Sequence, residues 1–298
     1  MRILNYGSLN LDYVYTVNHI VQPGETISSD GMTLYFGGKG LNQSISLARA
    51  GSQVCHAGMI GPDGAPLLAV LQENGVNTDH IREVKERTGN AMIQVGQEGQ
   101  NSIVLFGGAN QKNETEYIDE ALSCFAKGDL LLLQNEVNLL DYMIERGSEK
   151  GLRIALNPSP YDEKIERCDL SGVSLLLINE VEGEQMTGRK EPRDILTFLF
   201  GKFPAMSILL TLGKNGALYI DDTGIAGFPV FDVQVVDTTA AGDTFTGYFI
   251  TALSEGKSPY EALRLASLAS ALAVSRPGAS VSIPWRDEVD NAEIKLVL

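Results

Sequence analysis

Short apolar runs alternate along the chain with longer segments whose apolar residues recur every three or four positions. The runs at 3–6, 54–60, 130–133, 154–156, 175–178, 208–212 and 217–220 are too short for helices and read as strands. The last of them closes on Asp221-Asp222-Thr223-Gly224, a turn sequence. Helical spacing marks 41–50, 67–73, 139–150, 244–253 and 260–274; Gly51 and Gly75 stand just past the first two, where helices commonly end. Apolar strands alternating with helices predict a largely parallel sheet covered on both faces, an α/β fold with ligands at the carboxyl ends of the strands. Two stretches break the alternation. Residues 12–36 and about 88–106 are extended and half polar, with turn residues at Pro23-Gly24, Gly96 and Gly99, and predict one small β lid. No repeat or low-complexity linker divides the 298 residues, which read as one domain carrying that lid.

Charge changes the picture by exclusion. Asp and Glu number 38 against 23 Lys and Arg, a formal net charge of -15, and no basic run is present. A nucleic-acid partner needs clustered cations to displace counterions, so none is expected. Cys55, Cys124 and Cys168 form no CxxC pair, and His19, His56 and His80 have no metal-ligand spacing. No window reaches ~18 consecutive apolar residues, and the N-terminus lacks an apolar leader, so the expectation is a cytoplasmic protein without a membrane partner.

Two familiar nucleotide loops fail on inspection. Gly256-Lys257-Ser258 would end a Walker A loop, but position 251 is Thr and a helix precedes it. Gly38-Lys39-Gly40 opens like a dinucleotide fingerprint that Gln43 then breaks. The informative segment is Asp237-Thr238-Thr239-Ala240-Ala241-Gly242-Asp243-Thr244. Small residues before a helix let backbone N–H groups approach an anion, and the helix dipole adds positive charge there. Asp243 at that mouth can take a proton from an attacking hydroxyl; standing alone, it would read as a helix cap. Asn10 and Asp12 share one face of an extended segment, consistent with a common ligand or with a plain turn. Asn179 and Glu182 lie one helical turn apart.

The segment 237–243 resembles the C-terminal signature of the ribokinase-like (PfkB) carbohydrate kinases, and Gly37-Gly38-Lys39-Gly40-Leu41-Asn42-Gln43 resembles their N-terminal one. Similar stretches run nearly end to end: Gly7-Ser8-Leu9-Asn10-Leu11-Asp12, Asn157-Pro158, Asn179-Glu180-Val181-Glu182, Thr211-Leu212-Gly213 with Gly216, Arg276-Pro277-Gly278-Ala279 and Ile283-Pro284-Trp285. The resemblance implies a three-layer α/β sandwich with a β lid, and phosphoryl transfer from ATP, with Mg²⁺, to a sugar, D-ribose first. It implies Asp243 as base, Ala240, Ala241 and Gly242 as the anion hole, and Asn10, Asp12, Gly38, Lys39, Asn42 and Glu136 around the sugar. Asn179 and Glu182 would act on phosphates and Mg²⁺, and Thr211, Gly213 and Gly216 would border the nucleotide. Asp237, Thr239, Ala273, Arg276, Gly278 and Ser282 resemble a monovalent-cation (K⁺) site, and paired lids would make a homodimer. Leu41, Thr246, Pro277, Tyr13 and Ser267 depart from the usual pattern. Another sugar, a nucleoside, or a non-catalytic sugar-binding regulator remain the alternatives.

Overall fold

The computed structural model describes residues 1–97 and 100–296; Gly99 of the expected lid turn lies outside them. Strands β1 (Ile3–Tyr6), β2 (Asn10–Val17), β3 (Gly31–Gly37), β4 (Val54–Ile60), β5 (Asn77–Glu83), β6 (Gly89–Gly96) and β7 (Asn101–Phe106) occupy the first third. After them come β8 (Leu130–Gln134), β9 (Arg153–Asn157), β10 (Leu175–Asn179), β11 (Ser207–Thr211), β12 (Ala217–Asp221) and β13 (Gly224–Phe228). A nine-stranded sheet runs β13-β12-β11-β10-β9-β8-β1-β4-β5, parallel from β11 to β5, with the β12–β13 hairpin antiparallel at one edge. The expected Asp-Asp-Thr-Gly turn closes that hairpin, pairing Asp221 with Gly224.

Helices α1 (Lys39–Arg49), α2 (Ala65–Glu73), α3 (Thr115–Ser123), α4 (Leu140–Glu149) and α5 (Glu163–Arg167) are followed by α6 (Glu180–Thr187), α7 (Pro192–Lys202), α8 (Ala241–Ser254), α9 (Pro259–Val274) and α10 (Arg286–Asp290). They cover both faces of the large sheet. Alternate residues of β8 show how: Leu130 and Leu132 join the core under α1, α8 and α9, whereas Leu131 and Leu133 join the core under α3, α4 and α7. Two separate cores on one sheet make the expected three layers.

The small sheet has the order β3-β2-β6-β7 and fits the expected lid. It joins the two stretches that broke the alternation, because β2 pairs in parallel with β6 from Asn10↔Gly89 to Val17↔Gly96. Boundaries differ by up to three residues from the sequence reading, most at the start of α8. Leu139, expected inside α4, instead caps it in the left-handed region with φ 58°. Strand β5, Asn-Thr-Asp-His-Ile-Arg-Glu, escaped notice because it is a mostly polar edge strand.

Candidate active site

The carboxyl ends of β1, β8, β9, β10 and β11 line up along one rim of the large sheet, and the first turn of α8 faces them. Ala240 caps α8 in a left-handed conformation with φ 60°. Asp243 therefore stands in the first turn, and it is not the cap. Around Gly242 nothing lies within 4 Å of where a Cβ would stand, so the backbone there is open to a ligand. The Ala241 N–H is partly spent, donating to Thr238 O at 3.2 Å.

The Asp243 carboxylate is held from α1. Asn42 Nδ2 donates to Oδ2 at 3.0 Å, and Gln43 Nε2 donates to Oδ1 at 2.9 Å. Burial pushes its pKa up, opposed by the Lys39 ammonium and by both amides, with Glu136 adding to the rise. A raised but supported carboxylate is what a proton acceptor requires.

On the lid side of Asp243 stand Asn10, Asp12, Lys39 and Glu136. Asn110 fixes Asn10 by donating from Nδ2 to its Oδ1 at 2.8 Å, which leaves the Asn10 amide hydrogens for another partner. Asp12 is pushed up to about 7, mainly by burial and then by Glu136, with Lys39 opposing. Gly37 lies against that carboxylate, and a Cβ at Gly37 would overlap Asp12 Oδ2. Glu136 is a hub. It accepts from the Ser8 hydroxyl, from Lys39 N at 3.0 Å, and pairs with Lys39 Nζ at 3.2 Å. Burial works against the Lys39 charge, but Glu136, Asp243 and Glu182 outweigh it and raise its pKa. Gly38, with φ 90°, packs so closely on Ser8 and Asn10 that only glycine fits the turn.

On the other side a cavity of about 240 Å³ is lined by Lys39, Asn157, Asn179, Glu182, Thr211 and residues 240–243. Lys39 and Asp243 thus border both the cavity and the lid-side cluster. Asn179 and Glu182 form a reciprocal cap on α6: Asn179 N donates to Glu182 Oε2 at 3.0 Å, and Glu182 N to Asn179 Oδ1 at 2.9 Å. Their shared face is therefore partly structural, yet Glu182, a residue only 6% exposed, lines the cavity. Thr211 reaches the cavity; Gly213 and Gly216 form the turn behind it. Gly216, with φ 92°, is pressed against the Phe228 carbonyl, which gives it a packing role.

At the expected cation site, Asp237 reaches the 273–282 loop through Gly278. Asp237 accepts from Thr239 N at 2.9 Å, Thr239 Oγ1 at 2.6 Å and Gly278 N at 2.9 Å. Burial raises its pKa, but these donors prevail and hold it below the ordinary carboxylate range. The Ala273 carbonyl accepts from Arg276 N, the Arg276 guanidinium turns away to Glu288 at 2.6 Å, and Ser282 bonds back to Ala279 O. Gly256-Lys257-Ser258 proves to be a turn between helices, with Ser258 capping α9. Ser8, Gln43, Asn110 and Gln134 were not singled out from sequence as site residues; each acts through partners distant in the chain.

A cavity and a polar cluster meet at one half-buried carboxylate on a helix N-terminus, an arrangement that suits phosphoryl transfer on an α/β fold. The chain belongs to the pfkB family of carbohydrate kinases, whose pattern it matches over residues 2–286. It is 35% identical over 291 residues to the ribokinase of Haemophilus influenzae, covering 95% of each chain. The ribokinase of Cryptococcus neoformans, solved with ADP, superposes with a TM-score of 0.85 at 34% identity, covering 97% of this chain and 98% of that one. Arabidopsis thaliana ribokinase, solved with ribose and ATP, gives 0.83 at 29% identity and 97% coverage of both.

Proposed function

We propose that this kinase transfers the terminal phosphoryl group of ATP to the O5 hydroxyl of D-ribose, with Asp243 as the base. The observation that carries this reading is the place of Asp243: it borders the cavity and the Asn10–Asp12 cluster at once, so an acceptor hydroxyl beside it also faces a phosphate. The likeness to relatives solved with ribose, ADP and ATP supports it. Asn10 presents its amide hydrogens, Asp12 and Asn42 supply acceptors, and Lys39 and Glu136 fix the turn beneath the ring. Asp243 takes the hydroxyl proton as the new O–P bond forms and the bond to the ADP oxygen breaks. The open backbone at Ala240, Ala241 and Gly242, with the α8 dipole, stabilises the charge on the transferring phosphoryl oxygens.

The donor set fits two cations. Glu182, a buried carboxylate on the cavity wall beside Asn179, suits hydrated Mg²⁺, whose chemistry is to neutralise phosphate charge. Asp237 with the 273–282 loop offers oxygen donors for K⁺, which would steady the backbone at 240–242. A cytoplasmic location accords with the use of ATP. The lid exposes Met32, Leu34, Met92 and Val104 on one side and Ile103 and Leu105 on the other, and paired lids in a homodimer would cover them. The deciding experiment ranks kcat/KM over ribose, 2-deoxyribose, fructose, 2-keto-3-deoxygluconate and adenosine, in KCl and in NaCl at matched ionic strength. Ribose should lead and K⁺ should accelerate. Another acceptor ahead by about tenfold overturns the ribose assignment, and equal rates in both salts remove the K⁺ site.

A further inference from the structure

Strand β8 reads Leu-Leu-Leu-Leu-Gln, and all five side chains are buried. A fifth leucine would be the inexpensive choice. Gln134 is instead fully buried, and its Oε1 has no hydrogen-bond partner among the described residues. An unpaired buried acceptor costs about 1–3 kcal/mol. Its amide nitrogen explains the residue.

Gln134 Nε2 donates to Gln43 Oε1 and to Asn5 Oδ1, both at 2.8 Å. Asn5 Nδ2 in turn donates to Gly40 O at 2.7 Å and Ser44 Oγ at 2.8 Å, and Ser44 Oγ lies 2.8 Å from His56 Nδ1. Asn5, Gln43, Ser44, His56 and Gln134 are all 0% exposed. The sense of this chain is fixed by chemistry. A backbone carbonyl can only accept, so the Asn5 amide hydrogens must face Gly40 O. The Asn5 oxygen then faces Gln134, whose two amide hydrogens serve Asn5 and Gln43. That leaves the Gln43 amide hydrogens pointing at Asp243. Gly7 makes room for it all, since a Cβ there would overlap Gln134 Oε1.

We propose that Gln43, oriented by Gln134 and Asn5, is a positioning residue that fixes the Asp243 carboxylate in its ionised, proton-accepting state. The inference rests on Asp243 being the base. Among the groups acting on Asp243, Lys39 from α1 and the amides of Gln43 and Asn42 favour ionisation, and Glu136 after β8 opposes it. Asp12 from β2 and Glu182 from α6 face Lys39. Without Gln43 the balance tips toward the protonated acid.

The test is kcat against pH, with ribose and MgATP saturating so that the free-site titration of Asp12 drops out. Gln43→Leu should move the acid limb upward by about one pH unit or more, the scale of a lost hydrogen bond to a charge. Gln134→Leu touches neither substrate nor Asp243 and continues the leucine run. It leaves the Asn5 and Gln43 oxygens without their donor and so should lower the melting temperature, and it should still move the limb upward, because the Gln43 amide is then free to turn over. A merely structural role predicts the same loss of stability with an unmoved limb. Folded variants with an unmoved limb overturn the proposal. Should the variants fail to fold, glutamine-selective ¹⁵N labelling of the ribose-bound wild type decides. One buried side-chain amide should shift over the pH range of the acid limb and lose that shift in Asp243→Ala. No moving glutamine amide overturns the proposal. Full activity in Asp243→Ala would instead defeat the base assignment itself.

Discussion

Asp243 and Asp12 are both half-buried carboxylates with raised pKa, and substitution should separate their work. Asp243→Ala should fold and still bind ATP while kcat falls ~10²–10⁴-fold, the usual range for a lost general base. Single-turnover rates beside the melting temperature check this; a rate near wild type removes the role. For Asp12 the sign runs the other way. Its folded pKa, about 7, exceeds the ordinary 3.8, so its ionisation costs stability as pH rises through that window. Asp12→Asn should therefore raise the melting temperature of the ligand-free protein at pH 8, by about 2–4 °C for each kcal/mol relieved. The gain should vanish at pH 4, and KM for ribose should rise. A variant less stable at pH 8 than wild type would contradict this. Asp243 was legible because small residues precede it and a helix follows. Gln43, Gln134 and Asn110 were not, because amide side chains are neutral in any pattern and their partners lie 91 to 200 residues away.

At the scale of elements, Asp243 and its supports sit on different helices, so with Asp243 as the proposed base turnover should depend on how α1 meets α8. That crossing is tight. A Cβ on Gly247, one turn beyond Asp243, would overlap Ser46 Oγ and stand 2.7 Å from Leu47 N. Ser46 Oγ also donates to Thr244 O at 2.9 Å, pinning the two helices at that level. Gly247→Ala should force them apart at a cost of about 1–3 kcal/mol, typical of overpacking. Because Asn42 and Gln43 would withdraw from Asp243, kcat should fall more than KM rises. Thermal melts together with steady-state kinetics decide; a destabilised variant with normal kcat would show the crossing to be packing alone. Leucine-rich strands and the long helices α8 and α9 were readable from periodicity. Helices α3, α5, α6, α7 and α10 were missed, and α5, α6 and α10 are too short to establish a period; β5 lacks the apolar alternation that marks a strand.

The whole molecule is a two-core body with a thin sheet attached. Strand order could not be read from the chain, since the β2–β6 pairing joins segments separated by five other elements. If paired lids make the dimer, Val104→Glu should give a monomer by sedimentation velocity with slower turnover, while an unchanged sedimentation coefficient would discard the lid as the interface. The edge of that sheet has a further consequence for handling. Strand β7 carries Ile103, Val104, Leu105 and Phe106 in succession, all exposed, with no charge between residues 101 and 106. An uncharged apolar edge with free backbone groups is a template for amyloid-like stacking once its cover leaves. Met32→Glu, which would part lid-paired protomers while leaving β7 apolar, should then gain thioflavin fluorescence over wild type at equal protein concentration, and Val104→Glu should stay clear.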